Sequence, residues 1–256
     1  MLTAIPTFSF LIFGALYPLC FWLSQKPISK DFHKFHIGLP NCVAGLGVLI
    51  LLFWNIPLWI KIFVLAWKAV FLSVSYYFWK KPDISRRALT FVSLFGAAVL
   101  GVVQSQVFHV NILQLPATIL GGLILCAAFY AMNLGHHYLN VPGLPISHLI
   151  RAVKAFWVLL GLRFLWDGYA GLAYEIIVGG EPTKLYSFLF HLDGFFLLIA
   201  VFFGTIVPLV VNYFVMGTLK VKSTQSATGI LYVVVVCILM GDLAYKYYLF
   251  KYGLAL

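Results

Sequence analysis

ILQLPATILGGLILCAAFYAMNLGHHY, residues 112–138, is the stretch on which the fold turns. Its 27 residues include no Asp, Glu, Lys or Arg. A helix crossing the roughly 30 Å hydrocarbon core of a bilayer needs about 20 mostly apolar residues. The stretch is therefore predicted to span a membrane. Pro116 falls in its first turn, where a missing N–H does no harm. Seven further segments read the same way: 5–24, 38–55, 58–79, 87–108, 145–166, 185–215 and 227–249. Pro57 and Pro145 again suit early helical positions. The predicted fold class is an all-α integral membrane protein: a bundle of about eight transmembrane helices with no soluble domain. Residues 1–256 read as a single polytopic transmembrane domain.

Composition agrees. Charged residues are 9 % of the chain, against about 25 % in soluble domains, and mean hydropathy is +1.01. The net charge of +10 is spread over short connections, so it is read as topology and lipid-headgroup signals, not as a nucleic-acid footprint. Cys20, Cys42, Cys126 and Cys237 lie in apolar runs with no C-x-x-C pair, and are expected to be small buried hydrophobes. No basic residue precedes the first apolar run, so 5–24 is read as a helix and not as a signal peptide. The 167–184 connection is amphipathic enough for a short interfacial helix. No internal repeat is evident, which weakens an inverted-repeat transporter.

The basic residues orient the bundle. Lys26, Lys30, Lys34, Lys80, Lys81, Arg86, Arg87, Arg151, Lys154, Lys220 and Lys222 collect on one face, eleven of the seventeen Lys and Arg. By the positive-inside rule that face is cytoplasmic and both termini lie outside. The expected location is a bacterial inner membrane, crossed many times, with the termini on the periplasmic side.

Histidines carry the functional signal, because an intramembrane histidine is expensive and commonly serves as a ligand or proton relay. His33 and His36 are placed in the first cytoplasmic loop. His136 and His137 end the fifth helix, and His148 opens the sixth. A short connection holding Pro142, Gly143 and Pro145 is expected to bring His136 or His137 close to His148. Gly135 would admit a close backbone or a flat cofactor. One reading sets His136 or His137 with His148 or His36 across a b-type haem. A second gathers iron or zinc on His36, His136, His137 and His148. H-x-x-H at 33–36 together with the 136–137 pair resembles, over those few residues, the histidine boxes of membrane desaturases and hydroxylases, which implies chemistry on lipid. A third leaves the histidines as interfacial residues. Arg151, one turn after His148, suits a haem propionate, a lipid phosphate or a quinone headgroup, or simple snorkelling.

A second polar group is expected in the outer half. Lys68 lies mid-membrane in the third helix and needs a carboxylate, for which Asp193 or Asp242 is suitable by depth. His191 and Asp193 are placed two turns into the seventh helix. Arg163 and Asp167 end the sixth, and His109 ends the fourth. A proton path, a quinol site, a second haem between His109 and His191, or a structural ion pair would each fit. The glycines at 45, 47, 96, 101, 121 and 122 are read as helix-packing points. No P-loop, G-x-G-x-x-G, G-x-S-x-G or H-E-x-x-H motif occurs.

The leading functional expectation is a membrane subunit of a respiratory-type electron-transfer complex, holding haem b and working with quinone or partner membrane subunits. The alternatives are a lipid-modifying enzyme with a cytoplasmic-face histidine–metal site, a proton-coupled transporter, and a cofactor-free structural subunit.

Overall fold

The computed structural model describes residues 3–24, 28–81, 83–141, 143–178 and 180–256. Lys26 and Pro142, used above for orientation and for the short connection, lie outside the described residues. The chain is almost wholly helical. Helix α1 (Ala4–Leu16) continues as a 3₁₀ turn over Tyr17–Leu23; α2 is Lys30–Leu52, α3 Leu58–Trp79, and α4 Arg86–Val102 with a π turn over Val103–Val107. A 3₁₀ turn, Ile112–Gln114, leads into α5 (Leu115–Asn140), and α6 is Ser147–Ala173. A two-stranded hairpin, β1 (Glu175–Val178) and β2 (Glu181–Lys184), precedes the short α7 (Leu185–Phe188). Helix α8 (Leu192–Val201) passes through a π turn, Phe202–Ile206, into α9 (Val207–Lys220), and α10 is Thr224–Tyr252.

Seven of these helical units are long and apolar enough to cross a membrane. The protein is a multi-pass membrane protein, and its apolar helices contact lipid. Helix α6 is the long helix outside the seven, because Arg151, Lys154, Arg163 and Asp167 lie along it. Helix α1 sits centrally, with 67 % of its span buried against α2, α4 and α5, whereas α3 is peripheral at 28 %. Phe8, Leu11, Ile12 and Ala15 of α1 join Val48, Trp67, Val92 and Ala128 in the main core. A smaller core at the far end joins Ile176, Leu185, Phe188, Leu197, Tyr245 and Tyr248.

Three segments and one cysteine depart from the sequence reading. Helix α2 starts eight residues early, at Lys30, because the Ser29 hydroxyl caps it by accepting from the Phe32 N–H at 3.1 Å. His33 and His36 are therefore helical and buried, not in a loop. Helix α6 continues to Ala173, so the 167–184 connection is a helix end plus a hairpin instead of an interfacial helix. The hairpin pairs Glu175 with Lys184 in register, and their side chains form an ion pair at 2.8 Å.

The predicted 185–215 helix breaks at residues 189–191. The His191 N–H donates to the Phe188 carbonyl at 2.9 Å, and α8 restarts against that backbone. Only glycine fits at 194, since a Cβ there would overlap the Phe188 carbonyl oxygen. His191 thus flanks a helix start and is exposed, and Asp193 stands in the first turn of α8, not two turns deep. Finally, Cys42 is exposed on α2, while the other three cysteines are buried as expected.

Candidate functional sites

A buried charge cluster joins α6, the second π turn and α10. On α6, Arg163 and Asp167 are i,i+4 neighbours on one face. Arg163 Nε lies 3.0 Å from Asp167 Oδ1, with both side chains almost fully enclosed. The contact is coulombic, since the N–H is not aligned on that oxygen. Asp167 Oδ2 accepts from the Thr205 hydroxyl and the Tyr245 hydroxyl, each at 2.8 Å. The Arg163 guanidinium lies 3.9 Å over the Tyr245 ring. On α10, Lys246 donates to Asp242, again at i,i+4, and this pair is also enclosed.

Two features let these helices meet. The π turn places Thr205, which has no exposure, toward Asp167; such turns recur at functional sites. Gly204 and Gly241 let the π turn touch α10 backbone to backbone, as a Cβ on Gly241 would overlap the Gly204 Cα. Two small cavities of about 20 and about 10 Å³ adjoin the cluster, and both are lined by Gly121, Arg163, Asp242 and Tyr245. The larger has room for one water among polar partners.

The second site is a cleft at the end of α2 and α5 that carries the basic loops. Asp31, Phe32, Phe35, His36, Asn133, His136 and His137 line a partly open cavity of about 240 Å³. His36 is held edge and face. Its Nδ1–H donates to the Phe32 carbonyl at 2.7 Å, and its ring stacks 3.7 Å from Phe32. His137 Nε2 is 3.2 Å from the Ser29 hydroxyl, and His136 Nδ1 is 3.3 Å from the Tyr232 hydroxyl. His33 Nε2 accepts from the Ile28 N–H at 3.4 Å.

These placements sort the expected site residues. His36, His136 and His137 come together, while His148 is buried at the start of α6 and is not part of this cavity wall. A bis-histidine haem needs two imidazoles facing each other across a flat macrocycle. Here the Phe32 ring fills that space, 3.7 Å from His36 and 5.0 Å from His137. His36 and His137 do not fit a haem plate between them. Nor do three His, Cys, Asp or Glu converge as a metal-binding set among the described residues. Gly135 admits a helix, not a cofactor: a Cβ there would meet Thr228 Oγ1 of α10 at 2.6 Å. His109 is exposed in a left-handed turn with φ 56°, and His191 is exposed too, so the outer bis-histidine site does not lie in the core. Arg151 is half-buried one turn beyond His148.

The expected partner of Lys68 is also different. Its ammonium donates to the Asn41 carbonyl oxygen at 2.6 Å and to the Asn41 side-chain oxygen. Asp242 is taken by Lys246. Asp193 is exposed in the first turn of α8, 3.4 Å from Lys251 and 3.1 Å from the Tyr252 hydroxyl. Gln104 donates to the Asn111 carbonyl at 3.2 Å and ties the turn after the first π segment. Tyr245, Lys246 and Thr205 were not singled out from the sequence. The signal for Lys246 was its i,i+4 spacing from Asp242, repeated by Arg163 and Asp167.

No family model, curated protein or solved structure matches the chain. The functional reading therefore stands on this geometry.

Proposed function

We propose that this chain is a proton-coupled membrane carrier whose coupling site is the cluster of Arg163, Asp167, Asp242 and Lys246. The supporting observation is the burial of two carboxylates and two cations inside a lipid-embedded core. Desolvating an ion pair generally offsets its coulombic gain, and a hydrophobic replacement is often at least as stable. Intramembrane ionisable residues that persist against that cost mark ion or proton pathways by default.

The roles divide by chemistry. Arg163, with the Thr205 and Tyr245 hydroxyls, holds the Asp167 carboxylate in place. Asp242 and Lys246 form the exchangeable pair. A proton taken up by Asp242 breaks its ion pair with Lys246 on α10, next to the glycine contact with the π turn. That contact is where α10 and α8–α9 can shift against each other.

The reading includes eight spans in a bacterial inner membrane with both termini outside. Helix α6 is the eighth: at 27 residues it is roughly 40 Å long. It lies along its neighbours through Asn212 to the Val153 carbonyl, Trp157 to the Leu209 carbonyl, and the Arg163 cluster. Its Arg163 and Asp167 point into the bundle, whereas Lys154 is exposed.

Proteoliposomes loaded with a pH-sensitive dye test the proposal under a potassium diffusion potential. Wild type should move protons well above protein-free vesicles, and Asp242→Asn should slow that flux about tenfold or more, on the scale of losing a proton-transfer group. Flux equal to protein-free vesicles, or full flux in Asp242→Asn, would reject the coupling role.

The inner cleft favours a second reading, an electron-transfer subunit that receives a quinone headgroup between Phe32, His36 and Asn133. Titration with a short-chain quinone, read by quenching of tryptophan fluorescence, separates the two. Saturable binding lost in His36→Phe would move the assignment to electron transfer.

A further inference from the structure

Lys68 carries an inference independent of the proton-coupling reading. It is the eleventh of the 22 residues of α3, so its Cα lies roughly 15 Å from either helix end. Lysines snorkel only near helix ends, and this one is too deep to reach either interface. An ammonium has three N–H donors. The two acceptors the structure supplies, the Asn41 carbonyl and side-chain oxygens, are both neutral. Asn41 is itself committed, donating to the Ser75 hydroxyl at 2.7 Å. No carboxylate pairs with Lys68 among the described residues. The charge is thus hydrogen-bonded but not neutralised.

The surroundings face outward. Helix α3 is the least buried of the spanning helices. Cys42, Leu46 and Leu49 of α2 and Leu65 and Leu72 of α3 are exposed around the lysine. At Gly45 the missing side chain leaves the ammonium uncovered, since a Cβ there would lie 3.6 Å from Nζ. The result is an apolar two-helix face with one positive charge at mid-depth.

We propose that this α2–α3 face docks a transmembrane helix of another polypeptide, and that an Asp or Glu at the middle of that helix pairs with Lys68. Charge complementarity selects this occupant. Lipid phosphates lie at the interface, far from Nζ, and acyl chains accept nothing. A second copy of this chain does not serve. Of its seven acidic residues, Asp167 and Asp242 are enclosed in the core cluster. Asp193 pairs near the outer end, Glu175 and Glu181 belong to the hairpin, and Asp31 and Asp83 lie at helix ends or in loops.

The test uses the full-length protein in neutral-lipid nanodiscs and synthetic leucine–alanine transmembrane peptides, with binding read by energy transfer. One peptide has Asp at its centre, one has Asn there, and one has Asp two turns nearer an end. The central-Asp peptide should bind roughly tenfold more tightly than the other two, within the range of interhelical polar contacts in bilayers. Lys68→Met should erase the difference and Lys68→Arg should keep it. Equal binding of the Asp and Asn peptides to wild type overturns the proposal, whatever the variants do. So does a preference that survives Lys68→Met. Displacement of the central-Asp peptide by added phosphatidylglycerol would also overturn it, by assigning the ammonium to lipid.

Discussion

Replacing Arg163 with methionine tests whether the core cluster is an electrostatic unit. The substitution leaves the enclosed Asp167 carboxyl group without a cation, facing only the Thr205 and Tyr245 hydroxyls. It also removes the guanidinium from the Tyr245 ring. Breaking one side of a buried pair costs about 3–5 kcal/mol. At about 2–4 °C per kcal/mol for a chain of this length, the melting temperature should fall by roughly 6–20 °C. Adding Asp167→Asn removes the stranded charge, and the new amide oxygen still accepts a hydroxyl. The double variant should then retain mainly the lost cation–π contact, about 2 kcal/mol when desolvated. It should therefore melt above the Arg163→Met single variant. A thiol-reactive dye follows the transition in a Cys42→Ala background, where Cys20, Cys126 and Cys237 are all buried and react only on unfolding. If the two single losses simply add in the double variant, Arg163 and Asp167 are not coupled and the cluster is not one unit.

Two further outcomes check the hairpin and the α7–α8 junction. Gly194→Ala should open the α7–α8 junction and speed amide exchange over 185–200 while the α1–α5 core stays protected, because the added Cβ would overlap the Phe188 carbonyl oxygen; unchanged exchange there would mean the break is not held by glycine. The Glu175 carboxylate, by accepting a hydrogen bond from the Lys184 ammonium, raises its pKa. That contribution to the hairpin is complete below the ordinary lysine value of 10.5 and is lost as pH rises through the higher folded value. Hairpin amide protection should thus be flat from neutral pH to about 10 and fall only above it, relative to Glu175→Gln.

The membrane class was legible because apolar runs such as 112–138 admit no other reading, and Pro57, Pro116 and Pro145 lay at or within two residues of the starts of α3, α5 and α6. The chemistry was harder to read. Depth along a helix does not say which neighbour a side chain meets, so Lys68 was matched to aspartates at similar depth when Asn41 stood beside it on α2. Local capping was missed at Ser29, which turned a supposed loop into two buried helical histidines. The break at His191 was invisible in a segment of uniform hydropathy, because it depends on a backbone contact with Gly194. The core cluster was half visible: Arg163, Asp167 and Asp242 were noted singly, but only packing shows that the π turn and Tyr245 draw one pair into a network.

The inward polarity of α6 sets an order of events at synthesis. On the eight-span reading, Arg163 and Asp167 each oppose insertion by up to about 2.5–3.5 kcal/mol when a helix enters the bilayer alone. The groups that satisfy them across the bundle, Thr205 and Tyr245, are translated some 40 and 80 residues later. On that reading helix α6 waits at the translocon or the interface until α8–α9 and α10 arrive. The C-terminal half of the bundle is then a cooperative insertion unit, and truncation before α10 strands a helix that was stably placed in the complete chain.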